Sequence, residues 1–195
     1  LAAERPLQLV GVVNAYAALL AARAGFSALY LSGAGVANAS FGLPDLALTT
    51  LSEVCEEARR ITAASDLPLI VDADTGWGGA FMIARAVREL ARAGVAGCHL
   101  EDQVQSKRCG HRPGKRLVTP AEMCDRIKVA VDTRRDRFAV IARTDAHAGE
   151  GLEAAMDRAR AYVEAGADAI FAEALTSLDE YRAFAAVLDV PVLAN

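Results

Sequence analysis

The sequence predicts an α/β fold, a (β/α)8 TIM-type barrel of which these 195 residues reach about strand seven. Short runs rich in Val, Ile and Leu alternate with amphipathic helical runs, which is typical of a parallel sheet covered by helices. Strand starts recur about every 31 residues, so eight units would need about 245 residues, close to the usual barrel length of about 250. An open doubly wound sheet is the alternative. We expect a single barrel domain over residues 1–195, with its eighth unit and C-terminal helices outside this sequence.

The predicted strands are continuous apolar runs with many β-branched residues, as in buried parallel strands. In chain order they cover residues 7–14, 28–32, 68–74, 97–102, 138–145, 169–173 and 191–195. A loop containing Gly33, Gly35, Gly42 and Pro44 is expected after the second strand.

The predicted helices show apolar residues at helical spacing, and Gly25, Gly94 and Gly166 mark the ends of three of them. They cover residues 15–24, 51–65, 81–93, 120–133, 152–165 and 178–188. Thr50 with Glu53 fits a capping box at the second helix. Thr119 before Pro120 is expected to cap the fourth.

Composition narrows the classes of function. Twenty-one Lys and Arg against 25 Asp and Glu give a net charge of −4, which argues against nucleic acid as the main partner. No apolar run is long enough for a spanning helix, and the first residues show no secretory pattern, so no membrane partner is expected. Four cysteines without C-x-x-C spacing indicate no disulfide framework and a cytoplasmic, reducing compartment. Cys55, Cys98 and Cys124 are interpreted as small buried residues.

Almost every predicted strand ends in a polar residue. These residues are Asn14, Ser32, Asp72, Asp74, Glu101, Asp102, Arg143, Asp145, Glu173 and Asn195. In a barrel the carboxyl ends of the strands converge on one site, so the sequence predicts a shared site there. His99 and His147 are interpreted as structural residues.

Asp72 and Asp74 are two carboxylates at positions i and i+2 of a predicted strand, and so on one face. Neighbouring carboxylates repel unless they share a cation or a proton. A hard divalent ion with oxygen ligands, Mg²⁺ with Mn²⁺ as the alternative, would relieve that repulsion. A capping aspartate beside a solvated one is the alternative interpretation of the pair. Glu101, Asp102 and Asp45 could support a metal site.

The segment 106–112 surrounds Cys109 with Lys107, Arg108, His111 and Arg112. Positive charge favours the thiolate, so Cys109 is a candidate nucleophile or proton carrier. A basic surface loop with an incidental cysteine remains the alternative. Two features would suit an anionic substrate. Arg143 can grip a carboxylate, and residues 32–35 (Ser-Gly-Ala-Gly) offer backbone N–H groups.

Several motifs then resemble the isocitrate lyase/phosphoenolpyruvate mutase superfamily, over essentially the whole chain. They are YLSGAGVANASFGLPD (30–45), VDADTGWGG (71–79), HLEDQVQSKRCGHRPGK (99–115), ARTDA (142–146), FAEA (171–174) and LAN (193–195). The K-R-C-G-H loop is specific to the lyase branch, and the likeness is strongest to the members of that branch that act on 2-methylisocitrate.

The resemblance implies a (β/α)8 barrel that forms a homotetramer by swapping a C-terminal helix, and a Mg²⁺ ion held by Asp72 and Asp74. Cys109 matches the catalytic acid, with Lys107, His111 and Glu101 supporting it, and Asp45 lies near the metal. The substrate contacts it implies are Ser32, Gly33, Ala34, Gly110, Arg143, Glu173 and Asn195. The implied substrate is a small polycarboxylate, cleaved between two carbons to pyruvate and succinate in propionate catabolism.

Two departures from the family pattern stand out. Ala34 replaces a usual glycine, and the sequence ends where the family continues through an eighth unit, so a natural length of about 290 residues is expected. Alternatives also stay open. They are an isocitrate lyase, another 2-substituted malate lyase, an oxaloacetate decarboxylase or phosphonopyruvate-type enzyme, and a degenerate barrel used for binding.

Overall fold

The computed structural model describes residues 6–135 and 137–195, so the expectation drawn from the first five residues lies outside the described part. Seven parallel strands, paired in sequence order, form one curled sheet. They are β1 (Leu9–Val12), β2 (Ala28–Leu31), β3 (Leu69–Asp72), β4 (Gly97–Glu101), β5 (Ala139–Thr144), β6 (Ala169–Ala172) and β7 (Val192–Leu193). The predicted α/β barrel class is confirmed. Each strand is shorter than predicted, and several end before the last polar residue of the predicted run, as at Ser32, Asp145 and Glu173.

Helices follow the strands and cover one face of the sheet. They are α1 (Ala15–Arg23), α2 (Gly33–Phe41), α3 (Leu51–Ala64), α4 (Ala80–Arg92), α5 (Pro120–Thr133), α6 (His147–Glu150), α7 (Leu152–Glu164) and α8 (Leu178–Ala186). The capping box of Thr50 and Glu53 is confirmed, since each side chain bonds the other residue's backbone N–H. The Thr119 hydroxyl caps α5 as predicted.

Helix α2 corrects the predicted loop after β2. Its glycines are poor helix formers and suggested irregular structure. In the fold, however, the Ser32 hydroxyl accepts from Gly35 N and caps the helix, while Val36 and Ala37 are buried. The helix ends at Gly42, whose φ of 65° is left-handed. Burial of one apolar stripe therefore outweighs the low helix propensity of this segment.

Alternation along each strand separates two apolar layers. One set of side chains, including Leu69, Val71 and Leu100, packs beneath the helices in the large core. The opposite set forms a small inner layer centred on Ile141, Ala169 and Phe171. The inner layer ends where polar residues begin along the strands. It lies directly beneath the charged side chains at the C-terminal ends of the strands.

No helix of the described residues is long and apolar enough to span a membrane. All four cysteines are free, as expected. Cys55 and Cys98 are buried, but the prediction is wrong for Cys124, which is only partly buried. Cys124 lies on α5, where its thiol donates to the Ala161 carbonyl of α7.

Glycine at position 97 lets β4 and β5 pair closely. A Cβ there would lie 2.6 Å from the Ala139 carbonyl oxygen, closer than real Cβ contacts come. We expect Gly97→Ala to lower the free energy of unfolding by about 1–3 kcal/mol through overpacking. Gly149→Ala is the matched control, because its Cβ would meet nothing within 4 Å. Urea unfolding of both variants tests the expectation, and equal stabilities would contradict it.

Candidate active site

Strand register places the charged residues in one ring. Asp72 pairs with His99 across β3 and β4, and Glu101 pairs with Arg143 across β4 and β5. Glu173 follows β6 on the same face as Phe171. Parallel strands present every second residue inward, so these side chains meet above the inner apolar layer.

The Arg143 guanidinium lies among three carboxylates. Two parallel hydrogen bonds of 3.1 Å join it to Asp145, and Glu173 and Glu101 lie 3.2 and 3.4 Å away. Its face also covers the Phe171 ring, 5.0 Å from the centroid. Burial opposes the charge, but the three carboxylates hold the pKa of Arg143 well above its usual range. Arg143 is therefore a fixed, permanently charged group.

The acceptors beside Arg143 are only partly satisfied. One oxygen of Glu101 is buried without a hydrogen bond, and the oxygens of Glu173 have only contacts of 3.2 Å to Arg143 and 3.3 Å to His111. Burial raises the pKa of Glu101 well above its usual range, despite the opposing charge of Arg143. Unpaired buried acceptors cost stability, and such groups are typical of a site built for a ligand.

Lys107 joins two aspartates from different parts of the chain. Its ammonium lies 2.5 Å from Asp45 and 2.7 Å from Asp74, and its side chain is 4% exposed. Burial works against the ammonium, but Asp74 and Glu101 raise the pKa of Lys107 above its usual value. Lys107 is thus a buried cation at the centre of an acidic cluster.

The aspartate pair differs from the expected strand geometry. Strand β3 ends at Asp72, and Asp74 has a φ of 47°, so the two do not share a face by strand alternation as predicted. A tight turn brings them together instead, because Asp74 N donates to Asp72 Oδ1 at 3.1 Å. Burial and the Asp72 charge raise the pKa of Asp74 to about 6.

These carboxylates fit a hydrated divalent cation. Asp74 Oδ1 lies 2.7 Å from the Lys107 ammonium, and a Cβ on Gly33 would lie 3.2 Å from Asp72 and 3.5 Å from Asp74, so glycine leaves space beside both carboxylates. In residues 6–135 and 137–195, no three His, Cys, Asp or Glu side chains form a ready metal cage. Two carboxylates with water and substrate as the other ligands suit Mg²⁺.

Backbone N–H groups after β2 donate hydrogen bonds to side chains of the protein. Gly33 N, in the first turn of α2, donates to Asp72 Oδ2 at 3.1 Å, and Gly35 N donates to Ser32. A helix N-terminus stabilises a nearby carboxylate, which favours the charged form of Asp72. The anion site expected from this segment therefore has two of its donors already engaged.

His99 lies behind the cavity lining, 3.5 Å from Asp72, and fits its interpretation as a structural residue. It is fully buried on β4, its Nε2 lies 2.7 Å from the Tyr30 hydroxyl, and the two rings stack. Burial lowers the pKa of His99 to about 4, so the imidazole is neutral at pH 7. His147, at the start of α6, bonds Glu180 and fits the structural interpretation.

The Cys109 loop, residues 105–115, crosses this ring of charges. Cys109, Gly110 and His111 line the same cavity as Asp72 and Arg143. His111 Nδ1 lies 3.3 Å from Glu173. A Cβ on Gly110 would lie 2.6 Å from the Glu173 carboxyl carbon, so the loop reaches this depth only with glycine. The loop that carries Lys107, Cys109 and His111 therefore places the Cys109 thiol at the cavity.

The predicted site residues mostly converge. Those that line the cavity are Ser32, Ala34, Asp45, Asp72, Lys107, Cys109, Gly110, His111, Arg143, Glu173 and Asn195. Gly33, Asp74 and Glu101 lie directly behind this lining, in contact with Asp72, Lys107 and Arg143 respectively. Asn14 and Asp102 are exceptions among the strand ends. The Asn14 side chain caps α1 by accepting from Ala17 N, and Asp102 bonds residues outside the cavity.

Asp102 anchors the site from below, a role that its place at a strand end signalled only weakly. Its carboxylate accepts from Asp145 N, the Thr144 hydroxyl and the Tyr162 hydroxyl, at 2.8 to 2.9 Å. Arg158 lies 3.5 Å away. The carboxylate therefore fixes the end of β5, from which Arg143 and Asp145 project.

Comparison with known proteins matches this chain to one family. A family model described as phosphoenolpyruvate phosphomutase matches residues 1–195. The chain is 62% identical to the 2-methylisocitrate lyase of Shewanella oneidensis and 60% identical to that of Salmonella typhimurium. Both matches cover 100% of this chain and 67% of the relative, so the chain spans about two thirds of their length.

Solved structures agree in fold. Oxaloacetate acetylhydrolase with the inhibitor 3,3-difluorooxalacetate superposes with a TM-score of 0.92 at 41% identity, over 95% of this chain and 65% of the other. A 2,3-dimethylmalate lyase of the PEP mutase/isocitrate lyase superfamily superposes with a TM-score of 0.91 at 41% identity, over 98% and 66%.

The Asp102 anchor gives a stability test. Leucine at position 102 is similar in size but accepts no hydrogen bond, which leaves three buried donors unpaired. We expect Asp102→Leu to lower the free energy of unfolding by about 3 kcal/mol or more. Asp157→Leu, at an exposed position of α7, should change the free energy of unfolding by less than about 0.5 kcal/mol. Urea unfolding measures both, and a similar small loss for each variant would refute the anchor.

Proposed function

The chain belongs to the phosphoenolpyruvate phosphomutase family, and from that premise we propose that the protein is a carbon–carbon lyase that cleaves 2-methylisocitrate into pyruvate and succinate. The family contains several chemistries, so membership alone does not choose among them. The observation that carries the choice is the Cys109 loop, whose thiol lines one cavity with Asp72, Lys107 and Arg143. Identities of 60% and 62% to enzymes of that name support it further.

The reaction is a retro-aldol cleavage. A base takes the proton of the substrate's tertiary hydroxyl, and the oxygen electrons form the carbonyl of pyruvate. The broken carbon–carbon bond leaves its electron pair on the succinate carbon. The Cys109 thiol then donates its proton to that carbon, which completes succinate. In reverse, the Cys109 thiolate removes the same proton.

Neighbouring charges support this role of Cys109. Lys107 lies two residues before Cys109 and brings positive charge into the loop, and the His111 imidazole lies two residues after it. Glu101 and Glu173 lie beneath the loop, and His111 Nδ1 lies 3.3 Å from Glu173. Lys107, His111 and Glu101 are thus proposed as the catalytic groups that assist Cys109.

Asp72 and Asp74 would hold Mg²⁺, or Mn²⁺ in its place, with Asp45 nearby. When bound, the ion supplies positive charge for the substrate hydroxyl and its adjacent carboxylate as negative charge develops on oxygen. Lys107 lies 2.7 Å from Asp74 and partly neutralises the pair. The protein thereby keeps two carboxylates ionised in a buried place.

Arg143 is the proposed clamp for a substrate carboxylate. Its two bonds to Asp145 leave the guanidinium oriented into the cavity that Ser32, Ala34 and Asn195 also line. Gly33, Gly110 and Glu173 complete the proposed substrate contacts. Ala34 adds a methyl group where the family usually has glycine, and one methyl group is worth about 1–3 kcal/mol of discrimination.

The assembly and location are part of the proposal. We propose a cytoplasmic homotetramer that exchanges a C-terminal helix, with a small polycarboxylate as substrate and with no nucleic-acid or membrane partner. Exposed Tyr16, Leu19 and Leu20 on one side of α1 support an assembled form. The acidic net charge of −4 supports a partner other than nucleic acid.

Product analysis tests the reaction directly. With Mg²⁺, the full-length protein should release pyruvate from 2-methylisocitrate, because the proposed groups act on the tertiary hydroxyl. EDTA should abolish the release. Cys109→Ser should lower kcat by at least about 100-fold, since general acids contribute about 10²–10⁴-fold. Cys124→Ser, a change in a partly buried thiol outside the cavity, is the matched control and should retain activity.

The competing functions give different products in the same assay. Glyoxylate from isocitrate in preference to pyruvate would identify an isocitrate lyase. Cleavage of 2,3-dimethylmalate instead would identify another substituted-malate lyase. Turnover of oxaloacetate or phosphonopyruvate that survives Cys109→Ser would replace the proposal with a decarboxylase or phosphonate enzyme. A protein that binds no divalent ion and turns over none of these substrates would revive a binding role.

The metal proposal has a separate test. Alanine at position 33 would place a methyl group 3.2 Å from Asp72, so that carboxylate must shift by a few tenths of an ångström. We expect Gly33→Ala to weaken Mg²⁺ binding by about 10-fold, measured by isothermal titration calorimetry without substrate. Gly79→Ala, whose Cβ would meet nothing within 4 Å, should bind Mg²⁺ like the natural protein. Equal affinities would exclude this aspartate pair as the ligands.

A further inference from the structure

Lys115 makes two contacts that the proposed chemistry does not use. Its ammonium donates to the Gly110 carbonyl at 2.5 Å and to Asp145 Oδ1 at 3.1 Å. Its side chain is 6% exposed, and that of Asp145 is fully buried. Lys115 therefore connects the residue after Cys109 with the strand end that carries the site.

Asp145 is already the partner of Arg143. Its two oxygens accept from the Arg143 Nε and Nη2, and its backbone N–H donates to Asp102. The position of Asp145 is thus set from below, independently of the Cys109 loop. A bond from Lys115 to Asp145 consequently holds the loop against a fixed point.

The other attachments hold the base of the loop and two of its side chains, since Lys107 pairs with Asp45 and Asp74 and His111 lies 3.3 Å from Glu173. At its base, Val104 N donates to the Arg116 carbonyl, and Val118 N to the Asp102 carbonyl. The Gln103 amide pairs with the backbone of Arg108 through two hydrogen bonds. These contacts close the ends of the loop but none bonds Gly110. The tip is held at its backbone by Lys115.

The choice of residue type fits this role. The chain has only three lysines among its 21 basic residues, at positions 107, 115 and 128. Lys128 is exposed on α5, whereas the other two are buried in this site. An ammonium on a flexible stem can direct separate hydrogens at a carbonyl and a carboxylate in a narrow space, which a planar guanidinium does less readily.

We propose that Lys115 is a positioning residue that holds the tip of the Cys109 loop over the cavity, through the Gly110 carbonyl on one side and Asp145 on the other. Its part in turnover rests on the proposed function of Cys109. The loop geometry itself does not depend on that function, so the two ideas can fail separately.

Thiol accessibility tests the positioning role without turnover. The iodoacetamide rate at Cys109 is followed by peptide mass spectrometry in the full-length protein. We expect Lys115→Met to raise this rate about 10-fold, as expected for the loss of a hydrogen bond to a charged group. The alkylation rate of Cys124 should not change. Arg116→Met is the matched control, because Arg116 is exposed and contacts only Ser106 from the loop.

Kinetics then connect loop position to turnover. A displaced thiol should lower kcat in Lys115→Met more than it raises KM, because Arg143 keeps both bonds to Asp145. A purely structural loss would appear in the melting temperature and in the alkylation of buried Cys98. An unchanged Cys109 alkylation rate in a folded Lys115→Met protein would overturn the proposal. A raised rate with normal kcat would keep the positioning role and count against Cys109 as the acid.

The unaltered protein provides a second test if Lys115→Met does not fold. Acetylation by sulfosuccinimidyl acetate is followed at each of the three lysines. We expect Lys128 to react at least about 10-fold faster than Lys115, because a buried amine in an ion pair is shielded from the reagent. Equal rates at Lys115 and Lys128 in the folded protein would show that the contact does not persist, and would overturn the proposal.

Discussion

The paired hydrogen bonds between Arg143 and Asp145 are the contact on which the rest of the site depends. A guanidinium in the barrel interior is costly unless carboxylates surround it, and Asp145, Glu101 and Glu173 do so. Asp145 is in turn set by Asp102, and it also receives Lys115 from the Cys109 loop. One carboxylate thus orients the anion clamp and the loop that carries the thiol.

The site concentrates groups that would destabilise an ordinary core. Asp74, Glu101 and Glu173 are buried carboxylates, and one oxygen of Glu101 has no hydrogen-bond partner. Their cost is offset by the large core beneath the helices, where Leu69, Val71 and many other side chains are fully buried. The large apolar core therefore stabilises a fold whose site contains buried charged groups suited to a charged ligand and a cation.

Glycine defines how closely the parts of this site approach one another. Gly33 leaves room beside Asp72 and Asp74, and Gly110 lets its loop descend onto Arg143 and Glu173. Neither position has a positive φ, so in both cases the requirement is space rather than backbone conformation. Close packing between loop, helix and strand therefore requires glycine at both positions of the site.

Local patterns in the sequence determined the fold class, most element types and the polar character of the strand ends, because periodicity and capping depend on residues near in sequence. The polar strand ends, among them Asp72, Arg143 and Glu173, are assigned to one site on that basis. Helix α2 and the turn at Asp74 escaped prediction, since burial and tertiary hydrogen bonds overrode weak propensities there. The contact between His99 and Tyr30 and the role of Lys115 were decided only by the tertiary structure. Each depends on contacts between side chains that meet only once the strands have curled into a sheet. Local sequence patterns do not encode such contacts.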